Sequence, residues 1–346
     1  MLFAIEKELM LKNDRNELIK TIYFGGGTPS ILSLDEIQSI LNVVNNNFNV
    51  VDNPEITLEA NPDDLTSEKI IALSKSPINR LSIGVQSFFE EDLKFMNRAH
   101  SAEESKKCLK DATQYFDNIT IDLIYGVPNM SSEKWLANLK MAFDFGVPHI
   151  SSYALTVEEK TALASFIKKG TVPPVDEELA LEHFNILVEE TEKQEFVHYE
   201  ISNFGKPNFF SKHNMSYWQG EKYIGIGPSA HSFNGVERSW NVSNNSKYIK
   251  ALEENCFPSE TETLTVNNRF NEYVMTGLRT IWGVSFQKIE KDFGIETLNN
   301  FIRNAKPFID KELLTIQKDE NTIEYLTTTK KGKFLADGIA SDLFML

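Results

Sequence analysis

The residues of this chain with the clearest chemical potential stand at the ends of short apolar runs. FGGGTPS, Phe24 to Ser30, follows Ile22-Tyr23 and places three glycines where an extended segment ends. Such a triplet lets the backbone bend sharply or lets another group approach it closely. It is not a phosphate loop, because no Gly-Lys-Ser/Thr follows, and its spacing is not Gly-x-Gly-x-x-Gly. Taken alone it reads as a strand-to-helix turn, with Pro29 closing it and Ser30 as a cap for a short helical piece. Four further runs end in a polar side chain: ITLEA in Glu59, LSIGVQ in Gln86, ITIDL in Asp122 and ISSYA in Tyr153. Each alone has an ordinary explanation as a solvated or loop-capping residue. Burying unpaired carboxylates costs several kcal/mol, so a set of them converging on one rim implies a polar ligand. An amine, a ribose and few phosphates would suit carboxylates beside an open glycine backbone.

The elements that must carry these residues alternate. Thr21–Phe24, Glu55–Ala60, Arg80–Val85, Asn118–Ile124 and His149–Leu155 read as strands. Between them Ser33–Val44 (with Ser33 as N-cap), Ser67–Ser74, Ala102–Tyr115 and Ser131–Phe145 carry apolar residues at helical spacing. Alternation over about 150 residues predicts an α/β parallel sheet with helical crossovers. In a barrel of that kind, function sits at the C-terminal ends of the strands.

Composition bounds the function. The chain has 346 residues, 41% hydrophobic and 25% charged, enough for about two domains with sizeable cores. Lys and Arg number 35 against 50 Asp and Glu, a net charge of −15, which argues against nucleic acid or an anionic membrane surface as partner. No apolar run approaches the ~20 residues of a membrane span, and no secretory leader is recognisable. The two cysteines, Cys108 and Cys256, form no CxxC pair, which fits a reducing cytoplasm.

The runs YFGGGTPS, LEANPDDLT, RLSIGVQSF with LKFMNRAH, and IDLIYGVP together resemble the radical S-adenosylmethionine family, in its branch of oxygen-independent coproporphyrinogen III oxidases and their heme-chaperone relatives. The order and spacing match over nearly the whole chain. The resemblance implies that Gly26, Gly27 and Thr28 contact the methionine part of S-adenosylmethionine through the backbone. It places Glu59, Gln86, Arg98, Asp122 and Ala154 at further contacts to the same cofactor. It also implies a [4Fe-4S] cluster held by CxxxCxxC in the loop after the first barrel strand, a motif this chain lacks. MLFAIEKELML already reads as the first helix, with Phe3, Ile5, Leu9 and Leu11 as its apolar residues. The expectation is therefore a partial barrel lacking its first strand, truncated at the N-terminus, or alternatively a cluster-free degenerate relative. No catalytic residue or metal ligand is assigned, and whether the chain is an enzyme stays open.

The second half separates the relatives. HNMSYW, His213 to Trp218, matches the HNxxYW pattern that resembles heme chaperones more than coproporphyrinogen oxidases. As a local feature it reads equally as a packed loop with aromatic anchors and an ordinary hydrogen-bonded histidine. A heme site needs an iron ligand and flat apolar or aromatic walls; His213 would supply the first, and Tyr217, Trp218 and Tyr223 the second. GIGPSAHS, Gly225 to Ser232, is a second glycine-rich turn, with His231 as a weaker ligand candidate. The chain's end resembles the family's mainly helical, winged-helix-like terminal domain, which the acidic charge makes a lid or docking module and not a DNA reader. The resemblance implies a partial barrel at 1–155, a connecting region with HNxxYW at 156–260 and the terminal domain at 261–346. The function it implies is binding of heme and its transfer to an acceptor protein, the alternative being oxidative decarboxylation of coproporphyrinogen III.

Overall fold

The structure, a computed structural model, describes residues 1–159 and 161–345. The chain forms two compact units, one comprising Met1–Lys20, Asp35–Pro54 and Ser211–Leu346, the other Thr21–Leu34 and Glu55–Phe210.

The second of these carries the parallel sheet. Its strands are β1 (Asp14–Phe24), β2 (Phe48–Ala60), β3 (Arg80–Gln86), β4 (Ile119–Tyr125), β5 (His149–Ala154), β6 (Val197–Glu200) and β7 (Asn203–Gly205), in the order β1-β2-β3-β4-β5-β7-β6. Strands β2 to β5 are parallel, β7 runs antiparallel to β5, and β6 antiparallel to β7. The α/β alternation expected from the sequence is thus present as a curled half-barrel. The strand interiors alternate: Leu81, Ile83, Val85, Ile121, Leu123 and Ile150 are fully or almost fully buried. Polar or small residues, Ser82, Gly84, Asp122 and Ser151, occupy the intervening positions. Successive side chains of a strand point to opposite faces, so one face of the sheet is an apolar layer and the other a polar lumen.

The crossover helices start where the sequence supplies caps. Ser101 accepts from the Glu104 N–H while the Glu104 side chain accepts from the Ser101 N–H, a capping box that opens Ala102–Ala112. Ser131 caps Ser132–Asp144 and Thr66 caps Ser67–Leu73 in the same manner, each accepting from the backbone N–H three residues on. Two strands are longer than their apolar cores suggest. β1 begins at Asp14 and β2 at Phe48, and the added segments, 14–20 and 48–54, belong to the first unit. Segment 14–20 is mostly exposed, and in 48–54 the residues Asp52, Asn53 and Pro54 separate the apolar Phe48, Val50 and Val51 from the core of β2, so a pattern reading places the strand start late.

In the first unit, helix Leu2–Leu11 departs from the expected apolar stripe. Its buried residues are Ala4, Glu8 and Leu9, whereas Phe3 is 67% exposed. Glu8 turns inward because four donors surround it. Lys12 Nζ lies 2.8 Å from Oε1 and Asn241 Nδ2 donates to it at 2.7 Å, while Gly227 N–H and the Tyr248 hydroxyl donate to Oε2 at 2.8 and 2.6 Å. Beyond it lie an antiparallel sheet of β8 (His231–Phe233), β9 (Glu237–Asn241) and β10 (Ser259–Thr263) and a mainly helical C-terminal part. Helices Val266–Leu278, Phe286–Phe293 and Ile295–Asp310 pack there around Phe270, Val274, Ile289 and Phe301 with the small sheet β11 (Val284–Ser285), β13 (Glu324–Thr328), β12 (Leu314–Lys318). Among the described residues no helix is long and apolar enough to cross a membrane.

Candidate functional site

The glycine turn after β1 is built around one carboxylate. Gly26 and Gly27 have φ of 78° and 68°, the left-handed region that side chains with a Cβ rarely adopt. Gly25 is glycine for a different reason: a Cβ there would stand 2.5 Å from the Tyr23 ring and 3.0 Å from Glu59 Oε1. Gly26 N–H donates to Glu59 Oε2 at 3.0 Å, and the Tyr23 hydroxyl donates to Oε1 at 2.7 Å. Both carboxylate oxygens of Glu59 are thereby engaged, and the phenol of Tyr23 is driven well above its ordinary range by burial and by the charges of Glu59 and Asp122. Thr28 precedes the short 3-10 helix Pro29–Ile31 without a side-chain capping bond. Ser30 is not the cap expected from the sequence. It lies inside that helix, buried, and donates to Asp64 Oδ2 at 2.6 Å, because the proline two residues after Gly27 starts the helix two positions earlier, with Thr28 at the N-cap.

The remaining strand ends close on the same rim. Gln86 ends β3 at φ 65°, where the register against β4 slips. A Cβ on Gly84 would meet Gln86 Nε2 at 2.9 Å and Arg98 Nη2 at 3.3 Å, so both side chains lie over this glycine. Asp122 keeps part of its surface open, yet its carboxyl is packed among protein atoms. Burial pushes its pKa up to about 7, reinforced by the negative charge of Glu59 and opposed by Ser151 and by the guanidinium of Arg98. Tyr153 is exposed over part of its surface, yet its phenol is pushed up by burial and then by Asp122. Ala154 ends β5 beside Tyr125 of β4. His100, in the turn after Arg98, pairs through Nε2 with the Val85 carbonyl at 3.1 Å, which fixes the proton on that nitrogen.

Gly26, Glu59, Gln86, Arg98 and Asp122 are therefore linked by contact or charge, while Thr28 and Ala154 occupy neighbouring strand ends without such a link. Sequence reasoning missed Tyr23, Gly84 and Ser151. Tyr23 and Ser151 stand on the lumen side of the alternation in their strands, a signal that becomes readable once the strand register is known.

In the other unit HNMSYW forms a helix, Lys212–Trp218, with Ser211 accepting from the Asn214 N–H. His213 and Tyr217 are four residues apart and so share a face. The Tyr217 hydroxyl lies 3.1 Å from His213 Nε2, with the rings perpendicular. Burial holds the His213 imidazole at a pKa of about 4. Tyr217 meets Tyr223 edge-on, centroids 4.6 Å apart. Trp218 projects elsewhere and lies under the Arg279 guanidinium, 5.1 Å from the ring centre. The three aromatics thus divide into a Tyr217–Tyr223 pair and a Trp218–Arg279 pair. His231, at the start of β8, is exposed and 6.2 Å from the Trp240 ring.

The thiols do not fit a [4Fe-4S] cluster. There are two cysteines, fewer than the three thiolates of CxxxCxxC; Cys108 is buried in helix Ala102–Ala112 with its thiol pushed up to about 12, and Cys256 is exposed. Among the described residues no three His, Cys, Asp or Glu side chains are grouped to hold a metal ion.

Comparison with known proteins places this geometry. The Radical SAM superfamily profile matches residues 4–142. The chain is 33% identical over 342 residues to the heme chaperone HemW of Bacillus subtilis, covering 97% of this chain and 89% of that protein. It is likewise 33% identical to the heme chaperone HemW of Lactococcus lactis, over 93% of this chain and 86% of that one. The fold is similar to that of the coproporphyrinogen III oxidase HemN of Escherichia coli, a radical SAM enzyme, with a TM-score of 0.83 over 99% of this chain and 82% of that one, at 20% identity. A rim of glycine backbone and carboxylates at parallel strand ends, and similarity along almost the full length to two bacterial relatives, lead to one assignment: the chain belongs to the Radical SAM superfamily and, within it, to the HemW family.

Proposed function

We propose that this chain is a heme chaperone, which binds heme through the unit that carries helix Lys212–Trp218 and passes it to an acceptor protein in the cytoplasm. The observation that carries the reading is His213. Burial keeps its imidazole neutral to a pH of about 4, and only a neutral imidazole can ligate iron. Tyr217 holds the ligating nitrogen at 3.1 Å and would give it up to the metal, remaining with Tyr223 as an aromatic edge beside a porphyrin. The names of the relatives support the same substrate. The likeness to the oxidase supports the fold alone, at 20% identity.

S-adenosylmethionine fits the half-barrel rim. At Gly26 and Gly27 a Cβ would meet nothing within 4 Å, so the backbone there is open to a ligand's amino-acid end. Glu59 and Asp122 suit an ammonium and ribose hydroxyls, and Gln86 and Arg98, held over Gly84, stand between them. When bound, the cofactor would supply a sulfonium cation and an adenosyl group. Thr28 and Ala154 complete the set through their backbone positions in this reading.

Titration of the full chain with hemin tests the proposal. The Soret band should shift on binding, and His213→Ala should remove or displace that shift, whereas His100→Ala and His231→Ala should leave it. An unchanged spectrum and affinity in His213→Ala would overturn the assignment of His213.

A further inference from the structure

The glycine turn after β1 is held at two ends, and the second hold comes from NPDDLT, Asn61 to Thr66, a run that the proposed ligand contacts leave unused. At the first end Gly26 N–H donates to Glu59 Oε2 at 3.0 Å. At the other end the Ser30 hydroxyl donates to Asp64 Oδ2 at 2.6 Å and accepts from the Asn61 N–H at 3.4 Å. The Ser30 carbonyl accepts from Lys69 Nζ. Within four residues the chain passes from the exposed Gly26 and Gly27 to a fully buried serine.

The loop that supplies the second hold is itself fixed. Asp64 N–H donates to the Asn61 carbonyl at 3.1 Å, Pro62 and Leu65 are buried, and Thr66 caps helix Ser67–Leu73, which carries Lys69. Between the two holds stand Gly27, Thr28 and Pro29. The proline ring fixes its own φ, so Gly27 and Thr28 keep most of the rotational freedom of the span. Glycine loses more of that freedom on ordering than any other residue. A Cβ on Gly27 would meet nothing within 4 Å, so packing at Gly27 itself does not order it. Held at one end only, the turn would have to be ordered by its ligand, at a cost to affinity; held at both, it is ordered in advance.

We propose that Ser30 and Asp64 are positioning residues that set the Gly27–Thr28 backbone for the amino-acid end of S-adenosylmethionine, and so give the chain its preference for ligands that carry this end. The inference rests on the rim being the S-adenosylmethionine site. Neither residue touches the ligand: Ser30 is buried beneath the turn, with its hydroxyl proton committed to a carboxylate that can only accept. The brace acts on the turn after β1 alone. The adenosyl end of the ligand, left to the ends of β3, β4 and β5, lies outside its reach. Loss of the brace therefore discriminates between ligands, whereas general damage to the half-barrel would weaken all of them alike.

Hydrogen exchange on the ligand-free full chain reads the brace first. The Ile31 and Leu32 N–H groups donate to the Thr28 and Pro29 carbonyls at 3.2 and 3.1 Å. Asp64→Ala should speed their exchange about tenfold, while Asp64→Asn, whose amide oxygen accepts the same proton, should leave it near the parent rate. Unchanged exchange in Asp64→Ala overturns the brace. Calorimetry with three ligands then reads the positioning. S-adenosylmethionine and S-adenosylhomocysteine carry the amino-acid end, with and without the sulfonium charge, and 5′-methylthioadenosine lacks it. Asp64→Ala should weaken the first two about tenfold and the third by less than about twofold, and Asp64→Asn should restore the parent pattern. Equal losses for all three ligands, or no loss for any, overturn the positioning role. A parent chain that binds none of them overturns the rim assignment and the positioning role with it, a result that the exchange data tell apart from failure of the brace.

Discussion

Gly26 N–H donates to Glu59 Oε2 at 3.0 Å, so the glycine turn after β1 and the carboxylate at the end of β2 hold each other in place. The bond has two consequences for a ligand at the rim. It fixes the left-handed turn in the geometry that leaves the Gly26 and Gly27 backbone open, and it presents Glu59 already oriented by two donors.

Loss of this carboxylate should therefore weaken S-adenosylmethionine twice, by removing a charged partner and by releasing the turn. Glu59→Ala is expected to cost about 1.5–3 kcal/mol, the range for a hydrogen bond to a charged group. Tyr23→Phe, which removes only the hydroxyl that orients Oε1, should cost about 0.5–1.5 kcal/mol. Isothermal calorimetry on both variants tests the order. Equal affinity in Glu59→Ala and the parent would make the Gly26–Glu59 pair a feature of folding alone.

How far these residues were legible in the sequence follows from the distance over which each is determined. Glu59, Gln86 and Asp122 stood out because a polar residue interrupts an apolar strand at its end, a contrast contained in six or seven consecutive residues. Ser151, Asn203 and Glu200 did not, since they are bonded side by side across three strands, and no local pattern encodes register between β5, β7 and β6. Glu8 is a sharper case. On a helical wheel it falls between Ala4 and Ile5, where a carboxylate would ordinarily be too costly to bury, and only donors more than 200 residues away, at Gly227, Asn241 and Tyr248, make the inward position favourable. The HNMSYW segment gave its histidine and aromatics, but the separation of Trp218 from Tyr217 depends on the helix it forms and on Arg279.

Glu8 also yields a stability prediction. Its carboxylate is fully buried and accepts from Lys12, Gly227, Asn241 and Tyr248 at 2.6–2.8 Å. Truncation leaves these donors, one of them a lysine, without their shared acceptor. Breaking a buried, hydrogen-bonded charge pair in this way costs about 3–5 kcal/mol. Urea denaturation of Glu8→Ala should show a lowered midpoint for the unit containing helix Leu2–Leu11. A loss of under about 1 kcal/mol, the value of a surface ion pair, would mean that water replaces the carboxylate at little cost.

The pH response of His213 provides the last test. Its folded pKa, about 4, lies below the ordinary 6.5 because burial disfavours the imidazolium. Between these two values the unfolded chain binds the proton and the folded one does not, so stability rises with pH across that window. Acidification from about 6.5 to 4 should progressively destabilise the unit that carries helix Lys212–Trp218, and His213→Phe should flatten this slope. The same depression has the opposite usefulness for heme. A free histidine is mostly protonated by pH 5.5 and competes poorly for iron, whereas His213 remains neutral there. Hemin affinity, followed through the Soret band, should therefore stay level from about pH 7.5 to 5.5 and fall only as pH approaches 4. An affinity that declines with a midpoint near 6.5 would assign the iron to an imidazole of ordinary basicity and remove His213 from the heme site.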